Sequence, residues 1–270
     1  MKIRTDFHLH TQLSVDAETT VEAMVQRAIE LGFDEIALTD HLDNDPADPG
    51  AGKYDPHEAL AQSHAMAARF ADRIVVRHGV ELAEAHRYVR ENQAVYELAA
   101  DVLIGSIHYV EGHGVHETLF DVMAPREAID RYFVLAAEMA EQGDFDVLGH
   151  LDYFLRYTRK RHQPDYDPQA FRPRIEAILR TIIDRNIALE VNTSGYRRGA
   201  GIDQPFPQPV ILGWYRAMGG RLLSIGSDAH KPDDMAIGFE PVAKILAAIG
   251  FDEYHVYRDR QPVAIGLRRD

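Results

Sequence analysis

Apolar residues recur along this chain in two alternating patterns. Short runs of strand length stand at 3–7, 35–38, 74–80, 102–107, 146–149, 187–192 and 222–227. Most are nearly continuous in Ile, Val, Leu and Ala, as expected of strands buried on both faces. Between them, apolar positions fall three and four residues apart, the period of an amphipathic helix. In 20–31 these positions are Val21, Met24, Val25, Ala28, Ile29 and Leu31. The same period predicts helices over 57–71, 87–99, 125–142, 168–186, 208–219 and 241–249, and 254–265 reads as one or two short strands. End signals agree with these limits. Thr19 and Thr20 can cap the first helix and Gly32 stops it, while Pro125 and Pro168 stand at or near first-turn positions. Residues 43–52, rich in Asp, Pro and Gly, read as a loop.

About seven βα units follow one another with no linker, low-complexity segment or internal repeat. Such a series predicts a parallel sheet closed into a barrel, with residues 1–270 as a single domain. A doubly wound open sheet is the alternative, but no glycine-rich phosphate fingerprint follows the first strand. In a barrel, chemistry gathers at the C-terminal ends of the strands.

Those ends carry one kind of residue. His8 and His10 leave the first strand two apart, so they point to the same side of an extended backbone. His41, Glu81, His108, His150, Asp228 and His230 stand at later strand ends, and Asp16 follows in the first loop. Six of the 14 histidines thus fall where a barrel places its active site. There is no cysteine, so disulfides and thiolate chemistry are excluded and any transition-metal site must use imidazole and carboxylate. Nine candidate groups exceed the four or so that one zinc-like ion takes, and suit two or three divalent ions. Glu81 has two oxygens and can bridge a pair. Paired ions favour hydrolysis of phosphate esters. The mixture of imidazole and carboxylate fits Zn, Mn or Fe.

Charge and hydropathy narrow the partners. A net charge of −14 argues against long nucleic acid and anionic membrane, whose binding requires cationic surface. No stretch of 18 apolar residues is present, so no transmembrane helix is expected. The first residues lack the apolar core of a signal peptide, and a cytoplasmic location is the expectation. Nothing in the sequence sets an oligomeric state.

The motifs His8-Leu9-His10-Thr11, Thr39-Asp40-His41, Gly79-Val80-Glu81, Ser106-Ile107-His108, Gly149-His150-Leu151-Asp152 and Gly226-Ser227-Asp228-Ala229-His230 are present in this order. They resemble those of the polymerase and histidinol-phosphatase (PHP) family, and the resemblance spans the chain from residue 3 to about 250. It implies a distorted (β/α)7 TIM-like barrel with a trinuclear metal centre. Carried over position by position, His8, His10, Glu81 and Asp228 would hold the first ion, Glu81, His108 and His150 the second, and Asp16, His41 and His230 the third. Some family members carry histidine where this chain has Asp16, which makes that site harder. Within the family, the segments 149–157 and 190–199 are most similar to the stand-alone histidinol-phosphate phosphatases. Each contributes an arginine, and Arg156 and Arg197 are the candidates for holding a substrate phosphate, since guanidinium pairs bidentately with phosphate oxygens.

The reaction so implied is hydrolysis of L-histidinol phosphate, a step of histidine biosynthesis, by attack of a metal-bridging hydroxide, with Glu81, Asp228 and His230 as catalytic groups. The rival readings are a phosphoesterase acting on nucleotides or short oligonucleotides, an amide-hydrolysing barrel, and a non-catalytic metal-binding barrel. The remaining polar residues have plainer readings. His57 and His64 lie on a polar helix face, and His78 and His86 belong to no motif. The 109–117 loop, with His113 and His116, could cover the site and select the leaving group. Arg159, Lys160, Arg161 and Arg198 read as a solvated basic face near the mouth. Asp152 and Glu190 read as barrel-structural groups or as groups that orient ligating imidazoles.

Overall fold

The structure, a computed structural model, describes residues 2–160 and 166–267. Seven parallel strands form the frame: β1 (Thr5–Asp6), β2 (Glu35–Leu38), β3 (Val75–Ala83), β4 (Val102–Ser106), β5 (Val147–Leu148), β6 (Ala188–Asn192) and β7 (Leu223–Gly226). Each pairs with the next in sequence order, and His41–Leu42 adds a short parallel pairing with the far end of β3. The ring closes where β7 meets the segment after β1. Phe7 N donates to Ile225 O (3.1 Å), Asp228 N to His8 O (2.8 Å) and His10 N to Ala229 O (3.0 Å). The expected barrel is therefore formed, and the open-sheet alternative is set aside.

The helices lie outside the ring: α1 (Val21–Leu31), α2 (Pro56–Arg69), α3 (Pro125–Gln142), α4 (Arg172–Asp184), α5 (Pro209–Ala217) and α6 (Phe239–Ile249). In α1 the hydroxyl of Thr20 accepts from Ala23 N, Gly32 closes the helix at φ 75°, and Val21, Met24, Val25 and Ala28 are buried. The predicted helix over 87–99 shortens to Gln93–Glu97. The residues before it are drawn into tertiary contacts instead. Tyr88 donates its hydroxyl to Asp45 (3.1 Å), and buried Asn92 accepts from Asn44 (2.9 Å), so Asn92 does not cap the helix with its side chain. The predicted 109–117 loop contains a two-residue hairpin, Tyr109–Val110 against His113–Gly114, turning at Glu111 and Gly112, both at positive φ.

The strands predicted over 254–265 form an antiparallel hairpin, Glu253–Arg258 with Gln261–Gly266. It seals the N-terminal end of the barrel. Thr5 Oγ1 donates to the Tyr254 hydroxyl (3.1 Å), Tyr257 donates to Asp146 O (3.2 Å), and Arg258 pairs with Glu35 (2.9 Å). With that end plugged, the opposite end is the accessible one. No helix of the described residues is long and apolar enough to cross a membrane.

Candidate metal centre

At the open end, β3 runs through Glu81 and places its carboxylate, fully buried, at the centre of the barrel mouth. Five imidazoles face it. Oε2 lies 2.9 Å from Nδ1 of His41, 3.2 Å from Nε2 of His8 and 3.5 Å from Nε2 of His10. Oε1 lies 2.8 Å from Nε2 of His150 and 3.4 Å from Nε2 of His108, and accepts from the Ser106 hydroxyl at 2.5 Å. The two oxygens thus face two different sets of nitrogens, the arrangement of a carboxylate able to bridge. Asp228 brings Oδ1 to 3.4 Å from Nε2 of His10 and 3.5 Å from Nδ1 of His230. Asp16, half-exposed at the rim, lies 3.0 Å from Nε2 of His230 and 3.7 Å from Nε2 of His41. All nine sequence-predicted ligand groups therefore meet at one end of the barrel. His41 stands between two groups: one nitrogen faces Glu81 and the other Asp16.

The donor set fits metal ions. Nε2 of His8, Nε2 of His10, Nδ1 of His41 and Oε2 of Glu81 are buried without a hydrogen-bond partner among the described residues. A buried polar atom left unpaired is costly, yet these four point at one another. A cation between them would satisfy all four. Ligand atoms of His8, His10 and Glu81, of His41, Glu81 and His108, and of His10, His41 and His230 each lie within 4.8 Å of one another. Ring centroids of His10 and His41, and of His10 and His230, are 4.2 Å apart, too close for adjacent imidazolium ions to be comfortable.

The imidazoles are held from behind. Nδ1 of His8 lies 2.6 Å from Glu190, Nδ1 of His10 lies 3.2 Å from the Ser14 hydroxyl, and Nδ1 of His108 lies 2.8 Å from Asp43. Each contact occupies one ring nitrogen and turns Nε2 toward the centre, as hydrogen-bonded ligating histidines require. Four buried carboxylates also tie neighbouring strand ends together through backbone N–H groups. Asp6 at the end of β1 accepts from Ser227 N (2.9 Å), and Asp40 after β2 from Thr11 N (2.6 Å). Glu84 after β3 accepts from His108 N (2.6 Å), and Glu190 on β6 from His150 N (2.7 Å). Glu190 thus orients one imidazole and anchors the segment of another. Asp152 accepts from Gln208 N (3.2 Å). Asp40 appears in the Thr39-Asp40-His41 motif, but its supporting role, like those of Asp6, Ser14, Asp43 and Glu84, was not assigned from the sequence. A carboxylate within or just past an apolar strand run is the signal that marks Asp6, Asp40 and Glu84.

Burial by itself would raise the Glu81 carboxyl, but the imidazoles of His8, His41 and His108 hold it well below the usual range. Burial opposes charge on His41 as well, yet Glu81 and Asp43 push its imidazole up to about 9. Asp228 is kept well below its ordinary value, against burial, chiefly by Arg197 and His10. For Glu84 burial prevails, and its carboxyl rises to about 7.

A cavity of about 530 Å³ opens over the centre, lined by ligand-type side chains and by both predicted arginines. Arg156 donates to the Ser194 hydroxyl (2.6 Å) and packs over Phe206, 5.5 Å from its ring centroid. Arg197 donates to Ser227 O (3.4 Å) and lies 3.4 Å from Asp228 Oδ1. His116 and Glu117 also reach the cavity wall from the 109–117 segment. His57 and His64 are exposed, and buried His78 contacts Ser63 (3.3 Å). Of the expected basic face, Arg198 is exposed. Arg161 and the side chains of Arg159 and Lys160 lie outside the described residues.

A PHP domain model matches residues 6–194, more than half of the chain. The chain belongs to the PHP family. A histidinol-phosphatase from Lactococcus lactis subsp. lactis is 26% identical to it over 259 residues, spanning 93% of each chain. A probable histidinol-phosphatase from Thermotoga maritima is 26% identical over 264 residues, spanning 97% of this chain and 99% of its own. The fold is similar to the crystal structure of histidinol phosphate phosphatase from L. lactis subsp. lactis, complexed with Zn, L-histidinol and phosphate. The TM-score is 0.85 at 24% identity, covering 96% of this chain and 98% of that one. The PHP barrel read from the sequence is the fold observed.

Proposed function

We propose that this PHP protein is a metal-dependent phosphomonoesterase that hydrolyses L-histidinol phosphate to L-histidinol and phosphate. The observation that carries the reading is Glu81, with five imidazoles facing its two oxygens beneath a cavity lined by two arginines. Full-length relatives named as histidinol-phosphatases support the choice of substrate. In this reading His8, His10, Glu81 and Asp228 hold one divalent ion, Glu81, His108 and His150 a second, and Asp16, His41 and His230 a third, drawn from Zn, Mn or Fe. Bound there, such ions supply a hydroxide near neutral pH and neutralise charge on phosphoryl oxygens.

The chain's own residues do the rest. Arg156 and Arg197 bind the phosphate oxygens and orient the ester over the centre. Arg197 also keeps Asp228 ionised and therefore able to ligate. Glu81, Asp228 and His230 are the catalytic groups of this reading: Asp228 and His230 line the cavity, and Glu81 is buried beneath it. The cavity volume suits a small ester. The reading is of a cytoplasmic enzyme acting on a small phosphorylated metabolite.

The test is a comparison of kcat/KM for L-histidinol phosphate, nucleoside monophosphates and a short oligonucleotide, using metal-loaded protein. Histidinol phosphate is expected to be turned over at least tenfold faster than the others. Preference for a nucleotide or oligonucleotide would overturn the substrate assignment.

A further inference from the structure

Glu84 lies three residues beyond Glu81 on the same strand exit, fully buried and outside the cavity lining. It adopts φ 44°, in the left-handed region that non-glycine residues rarely visit. This conformation turns the chain so that residue 84 meets the end of β4 through both its backbone and its side chain. Glu84 N donates to Ser106 O at 2.8 Å. Its Oε1 accepts from His108 N at 2.6 Å and from Tyr109 N at 2.8 Å. These two residues lead from the end of β4 into the hairpin of Tyr109–Val110 with His113–Gly114. Asp43 fixes the ring of His108 through Nδ1, but nothing in that contact fixes the Cα from which the ring hangs. Glu84 supplies that second anchor.

We infer that Glu84 is a positioning residue: by clamping the backbone N–H groups of His108 and Tyr109, it holds His108 in ligating geometry beside Glu81. The inference rests on the metal-centre reading above. A strained residue persists only where its surroundings over-determine it, and such residues gather at functional sites. Here the strained backbone serves a ligand from the neighbouring strand. One strand exit thereby provides both the central carboxylate and the support for an imidazole that faces it.

The experiment compares wild type, Glu84→Ala, Glu84→Gln and Glu84→Asp as full chains. Metal-free protein is titrated with Zn2+ or Mn2+ by calorimetry, and thermal unfolding of the metal-free forms is followed in parallel. Glu84→Ala is expected to weaken metal binding about 10- to 100-fold, the usual effect of removing a group that supports a ligand. Glu84→Gln keeps an acceptor oxygen at Oε1 and is expected to stay within about threefold of wild type. Glu84→Asp, one methylene short of the two N–H groups, is expected to resemble Glu84→Ala. At saturating metal, KM for the phosphate ester should be unchanged, because the arginines are untouched. Wild-type affinity in both Glu84→Ala and Glu84→Asp would overturn the assignment, as would a Glu84→Gln protein as weak as Glu84→Ala. If Glu84→Ala does not fold, the Asp and Gln variants decide between these outcomes. Wild-type protein that takes up no metal would overturn the metal-centre reading and the inference with it.

Discussion

The carboxylate of Glu190 lies 2.6 Å from Nδ1 of His8, while its other oxygen accepts the backbone N–H of His150 at 2.7 Å. One side chain from β6 therefore supports two imidazoles that face opposite oxygens of Glu81. Replacing Glu190 with Ala strands Nδ1 of His8 in a dry site and frees the segment of His150. Metal affinity is expected to fall about 10- to 100-fold. Equilibrium dialysis against a buffered series of free metal concentrations measures it directly.

Gly226 is the point where β7 passes closest to this support. A Cβ at residue 226 would collide with Cβ of His8 and lie 2.8 Å from Oε1 of Glu190. Both neighbours are fixed, since Nδ1 of His8 lies 2.6 Å from Oε1 of Glu190 and Glu190 also accepts from His150 N. Gly226→Ala is expected to cost about 1–3 kcal/mol, the usual range for overpacking a rigid core. It should also reduce metal content, because His8 must move. Thermal unfolding combined with metal analysis would show the two losses together.

The two arginines are expected to act on substrate rather than on metal. Arg156→Ala and Arg197→Ala should each lower kcat/KM for the phosphate ester about 10- to 100-fold, with metal content close to wild type in Arg156→Ala. Lysine at 197 should restore only part of the loss, since an ammonium cannot make the paired contacts of a guanidinium. Arg197→Ala has a second expected effect. Asp228 loses its chief source of charge stabilisation, so the metal affinity of this variant should become more acid-sensitive than that of wild type.

Metal binding should depend on pH with a defined sign. In the metal-free protein the imidazole of His41 sits at about 9, so below that pH it carries a proton that ligation must displace. Apparent affinity should therefore rise as pH increases toward 9, by up to about tenfold per unit for each proton released. Calorimetric titrations at several pH values, in buffers of different ionisation enthalpy, would count the protons. Affinity independent of pH between 6 and 9 would contradict the elevated imidazole.

The sequence by itself determined the order of elements and picked out the ligand-type groups that gather at one end of the barrel. Buried strands read as apolar runs because both faces are covered, and helices such as α3 read by their period and their first-turn proline. Repeated ligand-type residues at strand ends were legible because parallel barrel topology maps the C-terminal end of every strand onto one face. The failed helix over 87–99 shows the limit of that reading: local periodicity competed with contacts from Asn44 and Asp45, distant in sequence, and lost. Only the tertiary structure decided how the ligands divide. That His41 turns one nitrogen to Glu81 and the other to Asp16 depends on ring orientation, which no spacing encodes. Glu190 was legible as an orienting group, but the partners of Asp6, Asp40 and Glu84 were not, because they lie on other strands. Asp6 acts on a residue 221 positions away across β1 and β7, which only barrel closure brings side by side, and Asp40 and Glu84 act on residues 29 and 24 positions away across strands that pair in the sheet.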